Sequence, residues 1–226
     1  MKYLSIRSIS AAAATLAMAA SSSALTLDWS KLEGTSTMAF SDAAVSLLQT
    51  NNTKVTALGN TTVVTAGKVF ALPITSITIS SSLKIAAGQA RGSALNLLRT
   101  TFDENDNASI SGVVLANFTL DYVHAQVLAD MTPKGGVTTA KAPVFNFHTA
   151  TPLALKYKFP LSITGHEVLD KLFVTPEALA IFASGLGLSG DAILNLVRAT
   201  DFGTLTQDIA VKARKAVSTA PYVPAP

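Results

Sequence analysis

A mainly β fold, an antiparallel β-sandwich-like domain with one or two short helices, is what this sequence predicts. Three observations predict it. Short Val- and Thr-rich segments alternate apolar and polar residues, Gly, Asn, Asp and Pro punctuate them at close intervals, and apolar residues fall at helical spacing in few places.

Residues 1–24 precede the domain. Lys2 and Arg7 give a positive start, residues 9–20 form a short Ala-rich apolar run, and Ser22-Ser23-Ala24 offers small residues for cleavage. That order of parts is a secretory signal peptide. The run falls short of the about 20 strongly apolar residues that span a bilayer. The expected location is therefore extracytoplasmic, periplasmic or secreted, with no membrane span in the mature chain.

Residues 35–40 read as the first strand. A short helix follows over 42–49, with Ser41 as cap and Ala43, Ala44, Leu47 and Leu48 recurring at helical spacing. Segments 54–58, 61–65 and 68–74 have the Val and Thr content of pleated surfaces, separated by turns at Gly59-Asn60 and Ala66-Gly67. Residues 77–79 alternate, and 94–98 read as extended, with a short helix as the alternative. Polar residues 103–107 then separate two longer strands, 110–122 and 124–131. The first shifts phase near Ala116-Asn117, as a β-bulge does, and Pro133-Lys134-Gly135-Gly136 turns the chain after the second. Strands are expected at 144–148 and 153–159. A helix starts at Thr175 as cap, with Pro176 in the first position and Glu177 toward the positive end of its dipole, and it stops at Gly185 and Gly187. Residues 205–217 return to alternation. The expected organisation is a single β-rich domain over 25–217 and a flexible Pro-rich tail over 218–226.

Composition narrows the function. With 49% apolar and 14% charged residues, the chain is built for burial rather than disorder. The absence of cysteine excludes disulfides, a thiol nucleophile and thiolate-bound metal. Two of the 17 Lys and Arg residues precede residue 25, leaving 15 against 14 Asp and Glu. The domain is thus nearly neutral. Nucleic-acid binding, which requires a clustered basic face, is not expected.

Catalytic motifs fail on single residues. His166-Glu167-Val168-Leu169-Asp170 has Asp170 where a zinc-protease helix places its second His. A solvated turn or short helix is the expectation there. In Gly187-Leu188-Ser189-Gly190-Asp191 the second glycine of a nucleophile elbow is replaced by Asp191, so the segment reads as a loop closing the helix. Asp103, Asn105 and Asn107 place oxygen ligands at alternate positions, the front of a calcium loop, and are the candidate metal ligands. Ala108 replaces that loop's glycine and Val114 its terminal carboxylate, so an ordinary polar turn competes. Tyr122 and His124 would share one face of an extended segment, which suits ligation of a haem-type cofactor or a binding groove. They are the candidate cofactor-binding pair. His124, His148 and His166 have no close spacing that marks a local metal site.

The succession Ala44-x-x-Leu47-Leu48, Lys54-Val55-Thr56-Ala57, Phe70-Ala71-Leu72-Pro73-Ile74-Thr75, Leu115-Ala116-Asn117-Phe118-Thr119-Leu120-Asp121, Ala129-Asp130, Pro143-Val144-Phe145 and Val174-Thr175-Pro176-Glu177-Ala178-Leu179 resembles secreted β-rich bacterial domains of the HtaA-like haem-uptake type. The likeness runs over most of residues 35–215. It implies the fold and the compartment. The sequence departs from that type in lacking an aromatic-rich opening, of which Leu27-Asp28-Trp29 is the nearest counterpart.

The expected function is an exported non-enzymatic binding or structural protein of the bacterial envelope or secretome, with no resident cofactor and an unknown surface or small-molecule partner. A small-ligand carrier of haem type is the alternative. An outer-membrane barrel or an unidentified hydrolase comes third; one Trp and four Tyr are too few for the aromatic girdles of a membrane barrel. Thr- and Ser-rich edge strands make self-association possible.

Overall fold

The computed structural model describes residues 24–80, 85–158 and 162–225. The expected export signal lies outside these apart from Ala24, as does Phe159 at the end of one expected strand. In chain order the elements are β1 (Leu25–Asp28), β2 (Leu32–Phe40), α1 (Asp42–Thr50), β3 (Thr53–Gly59), β4 (Thr62–Thr65), β5 (Val69–Pro73), β6 (Ser76–Ile79), β7 (Ile85–Phe102), β8 (Ala108–Asp121), β9 (Gln126–Pro133), β10 (Thr139–Lys158), β11 (Ser162–Val174), α2 (Pro176–Leu186), α3 (Asp191–Ala199) and β12 (Gly203–Ala213). The fold is mainly antiparallel β, as the alternation predicts. The layers of the sandwich are parts of one continuous sheet.

The described strands follow the path β1-β6-β7-β8-β9-β10-β11-β12-β2-β5-β4, with β3 added beside β7. Consecutive residues at the β5–β6 corner bond to opposite flanks of that path. The Ile74 amide donates to Gly34 O on β2 at 2.9 Å, and the Thr75 amide to Gln89 O on β7 at 2.7 Å. With β5 and β6 taken as one bent strand, the sheet curls round to meet itself. The circuit then has eight walls, about the number whose interior side chains either fill or leave room for one small ligand.

Inward positions alternate along each strand and carry the core. Met38 and Phe40 on β2, Phe70 and Leu72 on β5, Val113 and Leu115 on β8, Ala129 and Met131 on β9, and Leu169 and Leu172 on β11 are all buried. The outer face carries exposed pairs such as His148–Asp170 across β10 and β11 and His166–Asp208 across β11 and β12. The inner face is apolar, while the outer face mixes these pairs with exposed apolar side chains such as Val63, Leu155, Ile163 and Val211. No helix among the described residues is long and apolar enough to cross a membrane.

The helices fold onto this sheet through local signals. Ser41 Oγ accepts from the Ala44 amide at 3.0 Å and starts α1. Thr175 Oγ1 accepts from the Ala178 amide at 3.1 Å, Pro176 follows, and Gly187 ends α2 in the left-handed region at φ 62°. Helix α3 was not expected from the sequence. Gly190, which has no side chain to signal a start, precedes it, and only Val197 among its residues is fully buried.

Three further expectations are corrected. The stretch around His166 is neither a solvated turn nor a helix but the middle of β11, paired on both sides. Strands expected at 144–148 and 153–159 are one long bulged strand, β10. The expected tail over 218–226 is, in its described part up to residue 225, not free: Asn60 Nδ2 donates to Ser218 O at 2.8 Å, and Asn117 exchanges two hydrogen bonds with the Tyr222 backbone. Its seat is the bulge in β7, where Gly92 has φ 80°. A Cβ there would lie 2.6 Å from Asn60 Nδ2 and 2.9 Å from Ala220 O, so only glycine fits.

Candidate functional site: an apolar lumen with one buried acid

Curling the sheet leaves a cavity of about 100 Å³ between its inner face and the helices. Leu47, Phe182 and Val197 from the three helices line it. Along the walls stand Met38, Leu72, Leu95, Leu115 and Leu205, each an inward residue of an alternating strand. A Cβ on Gly34 would lie 2.8 Å from Trp29 Cδ1, so the indole packs where a side chain would otherwise stand. Trp29 Nε1 is satisfied by Glu33 O at 3.0 Å.

Polar groups on the wall are few. Gln207 Nε2 donates to Ser36 Oγ at 2.8 Å, closing one pair between β12 and β2. Glu167 and Tyr122 form a second, and Asn51, Thr53 and Gln89 complete the polar lining. Glu167 lies at an inward position of β11 and is only 4% exposed. Tyr122, at the end of β8, donates its hydroxyl to Glu167 Oε2 at 2.5 Å. The Leu153 amide on β10 adds a second donor to the carboxylate. Burial pushes the Glu167 carboxyl above its usual range, against the lowering effect of those two hydrogen bonds. The Tyr122 phenol is pushed up as well, by burial first and then by the adjacent carboxylate. No Lys, Arg or His lines the cavity among the described residues.

Tyr122 therefore reaches the site, but its expected companion does not. Residues 122–125 form a turn rather than an extended face, because the Asp121 carboxylate accepts from the Val123 and His124 amides at 2.9 and 3.1 Å. This swings His124 outward, where its ring is 69% exposed and Nδ1 lies 2.7 Å from Asp121 Oδ2. His148 and His166 are likewise held at Asp170 and Asp208 on the outer face, so the three histidines do not converge. A haem does not fit this arrangement. The phenol is engaged by Glu167 and the histidine faces away, so the expected pair offers no ligand set.

The candidate metal residues sit in a self-contained turn. Asp103 Oδ1 accepts from the Asn105 and Asn107 amides at 2.8 and 2.9 Å, and Asp103 Oδ2 from Asn107 Nδ2 at 2.9 Å. These hydrogen bonds hold the Asp103 carboxyl below its ordinary pKa. The described residues contain no group of three or more acidic or His side chains placed to hold an ion.

Sequence reasoning missed Glu167. Its strand carries a charged residue in an inward slot between Gly165 and Leu169, and outward Val168 is apolar, so the alternation that marks a strand is broken twice.

No protein-family model matches the chain, and no curated protein matches it. Among solved structures it is similar to the C-terminal domain of HtaA from Corynebacterium glutamicum, at 11% identity and a TM-score of 0.47, over 80% of this chain and 98% of that one. The resemblance is weak and confined to structure.

Proposed function

We propose that this chain is an exported, non-enzymatic binding protein that holds one small, mostly apolar ligand inside its curled sheet. The observation that carries the reading is the lumen itself: a cavity of about 100 Å³ walled mainly by aliphatic and aromatic side chains, with the Gln207–Ser36 and Glu167–Tyr122 pairs among its few polar groups. Packed interiors leave few voids larger than a water molecule. A dry engineered cavity of about 150 Å³ takes up benzene. The lumen is of that order, which sets the ligand's girth at a single ring or a short chain. Export rests on the order of charged, apolar and small residues in positions 1–24.

A solvatochromic aromatic probe tests the reading. The full chain is expected to bind it with stoichiometry near one, and Leu115→Trp, which places an indole in the cavity, is expected to abolish binding while circular dichroism stays native. Added haem is expected to give no ligated Soret band at stoichiometric ratio. A probe that fails to bind the wild-type chain, or binds Leu115→Trp equally well, rejects the lumen as the site and leaves a structural role in the envelope.

A further inference from the structure

Within that lumen, we infer that the Glu167–Tyr122 pair is a recognition site for a cation, and that the ligand is a small primary ammonium compound whose apolar body fills the cavity. This rests on the carrier reading and adds the ligand's head group to it.

The first argument is charge. Glu167 is 4% exposed and stands in an apolar wall with no basic side chain on the cavity surface described. A buried carboxylate is ordinarily matched by a cation or neutralised, because a bare charge in low dielectric is costly. The protein supplies two hydrogen bonds but no countercharge. Arg214, half-buried at the β5–β6 corner, is spent on backbone carbonyls, donating to Gly34 O at 2.7 Å and Ile74 O at 2.5 Å. His166, next to Glu167 in sequence, points outward to Asp208.

The second argument is capacity. An ionised carboxylate offers about four acceptor positions. Tyr122 and the Leu153 amide occupy two. An ammonium group carries three donors and no acceptor, so it complements what remains, whereas a carboxylate ligand would meet repulsion from Glu167. Tyr122 also fixes the carboxylate's orientation: its hydroxyl bonds Oε2 at 2.5 Å, and its ring is held edge-on against Phe147, with centroids 6.0 Å apart. The third argument is position. The acid stands in the wall of the same cavity as Leu115, Leu120 and Phe118, so one end of a ligand can meet charge while the rest stays in an apolar environment.

The experiment compares benzylamine, benzyl alcohol and benzoate, which share one ring and differ in head group, by chemical-shift titration of lumen methyl groups in the full chain. Benzylamine is expected to bind at least tenfold more tightly than benzyl alcohol, and benzoate not at all. Glu167→Gln, which keeps the shape and removes the charge, is expected to erase the amine's advantage and leave the alcohol's affinity within about twofold. Leu115→Trp should lose both ligands. Equal affinity for amine and alcohol in the wild-type chain, or an amine preference that survives Glu167→Gln, overturns the ammonium site while the carrier reading stands. Failure of every ring compound to shift the lumen methyls overturns both. The wild-type head-group comparison needs no variant and decides the matter even if Glu167→Gln folds poorly.

Discussion

Glu167 shows how one residue can oppose the fold and serve the site. Folding buries its carboxyl, so the folded chain binds the acid proton more tightly than the unfolded chain does. Its contribution to stability is therefore fully present below about pH 4.3, the ordinary value for Glu, and is lost as pH rises through the raised folded value. Glu167→Gln is accordingly expected to stabilise the ligand-free chain at pH 7 by on the order of 1 kcal/mol, with the gain vanishing in melts below about pH 4. An unchanged difference across that range would contradict a charged, buried Glu167. Asn117 is the second residue with more than one duty. It adopts φ 55°, which Asn tolerates better than most residues, and its amide holds Asp130 and Tyr222.

At the scale of elements, the helices obey local chemistry and the strands obey their neighbours. The start of α2 was readable because Thr175, Pro176 and Glu177 each have one local task. Thr175 is also 3% exposed and donates its hydroxyl to Pro143 O, tying the helix start to β10. Losing both bonds in Thr175→Ala is expected to cost about 2 kcal/mol in denaturant unfolding, toward the upper end for a helix cap. Thr175→Ser, which keeps the hydroxyl, is expected to lose less than half of that. The strand β11 was not readable because it is central. Its pairing with β10 and β12 determines which side faces inward, and that pairing spans residues 145–174 and 164–210.

The whole molecule depends on closure. Ile74 and Thr75 bond to opposite flanks, and Arg214 gathers carbonyls from Gly34 and Ile74 at the same corner. Beyond Arg214 the chain continues as a strap, with the Val217 amide on Ser30 O at 3.1 Å and Tyr222 on Asn117. Removing residues 217–226 is expected to lower stability by about 2 kcal/mol, from several net hydrogen-bond contributions of about 1 kcal/mol each offset by the entropy of a freed segment. Hydrogen exchange should speed up most at the Gly92 bulge, and unchanged protection there would show that the strap contributes little. Among the described residues the sheet path ends at β1 and β4, and β3 pairs with β7 alone, so these three are the edges through which copies of the chain would pair.

Sequence by itself determined whatever is written over a few neighbouring residues: the antiparallel β class, the caps of α1 and α2, the bulge at Asn117, and the near-neutral charge of the domain beyond residue 24. These are legible because alternation, capping and turn chemistry act within about four residues. Only the tertiary structure decided that the sheet closes on itself, that Tyr122 faces in while His124 faces out, and that Glu167 stands in an apolar wall. The physical reason is that closure and the burial of Glu167 depend on partners distant in the chain, as Tyr122 is from Glu167 at 45 residues, while the local Asp121 turn that carries His124 outward takes its direction only against the assembled sheet. Long-range pairing decides which face of a strand is buried, and burial in turn gives a lone acid its chemistry.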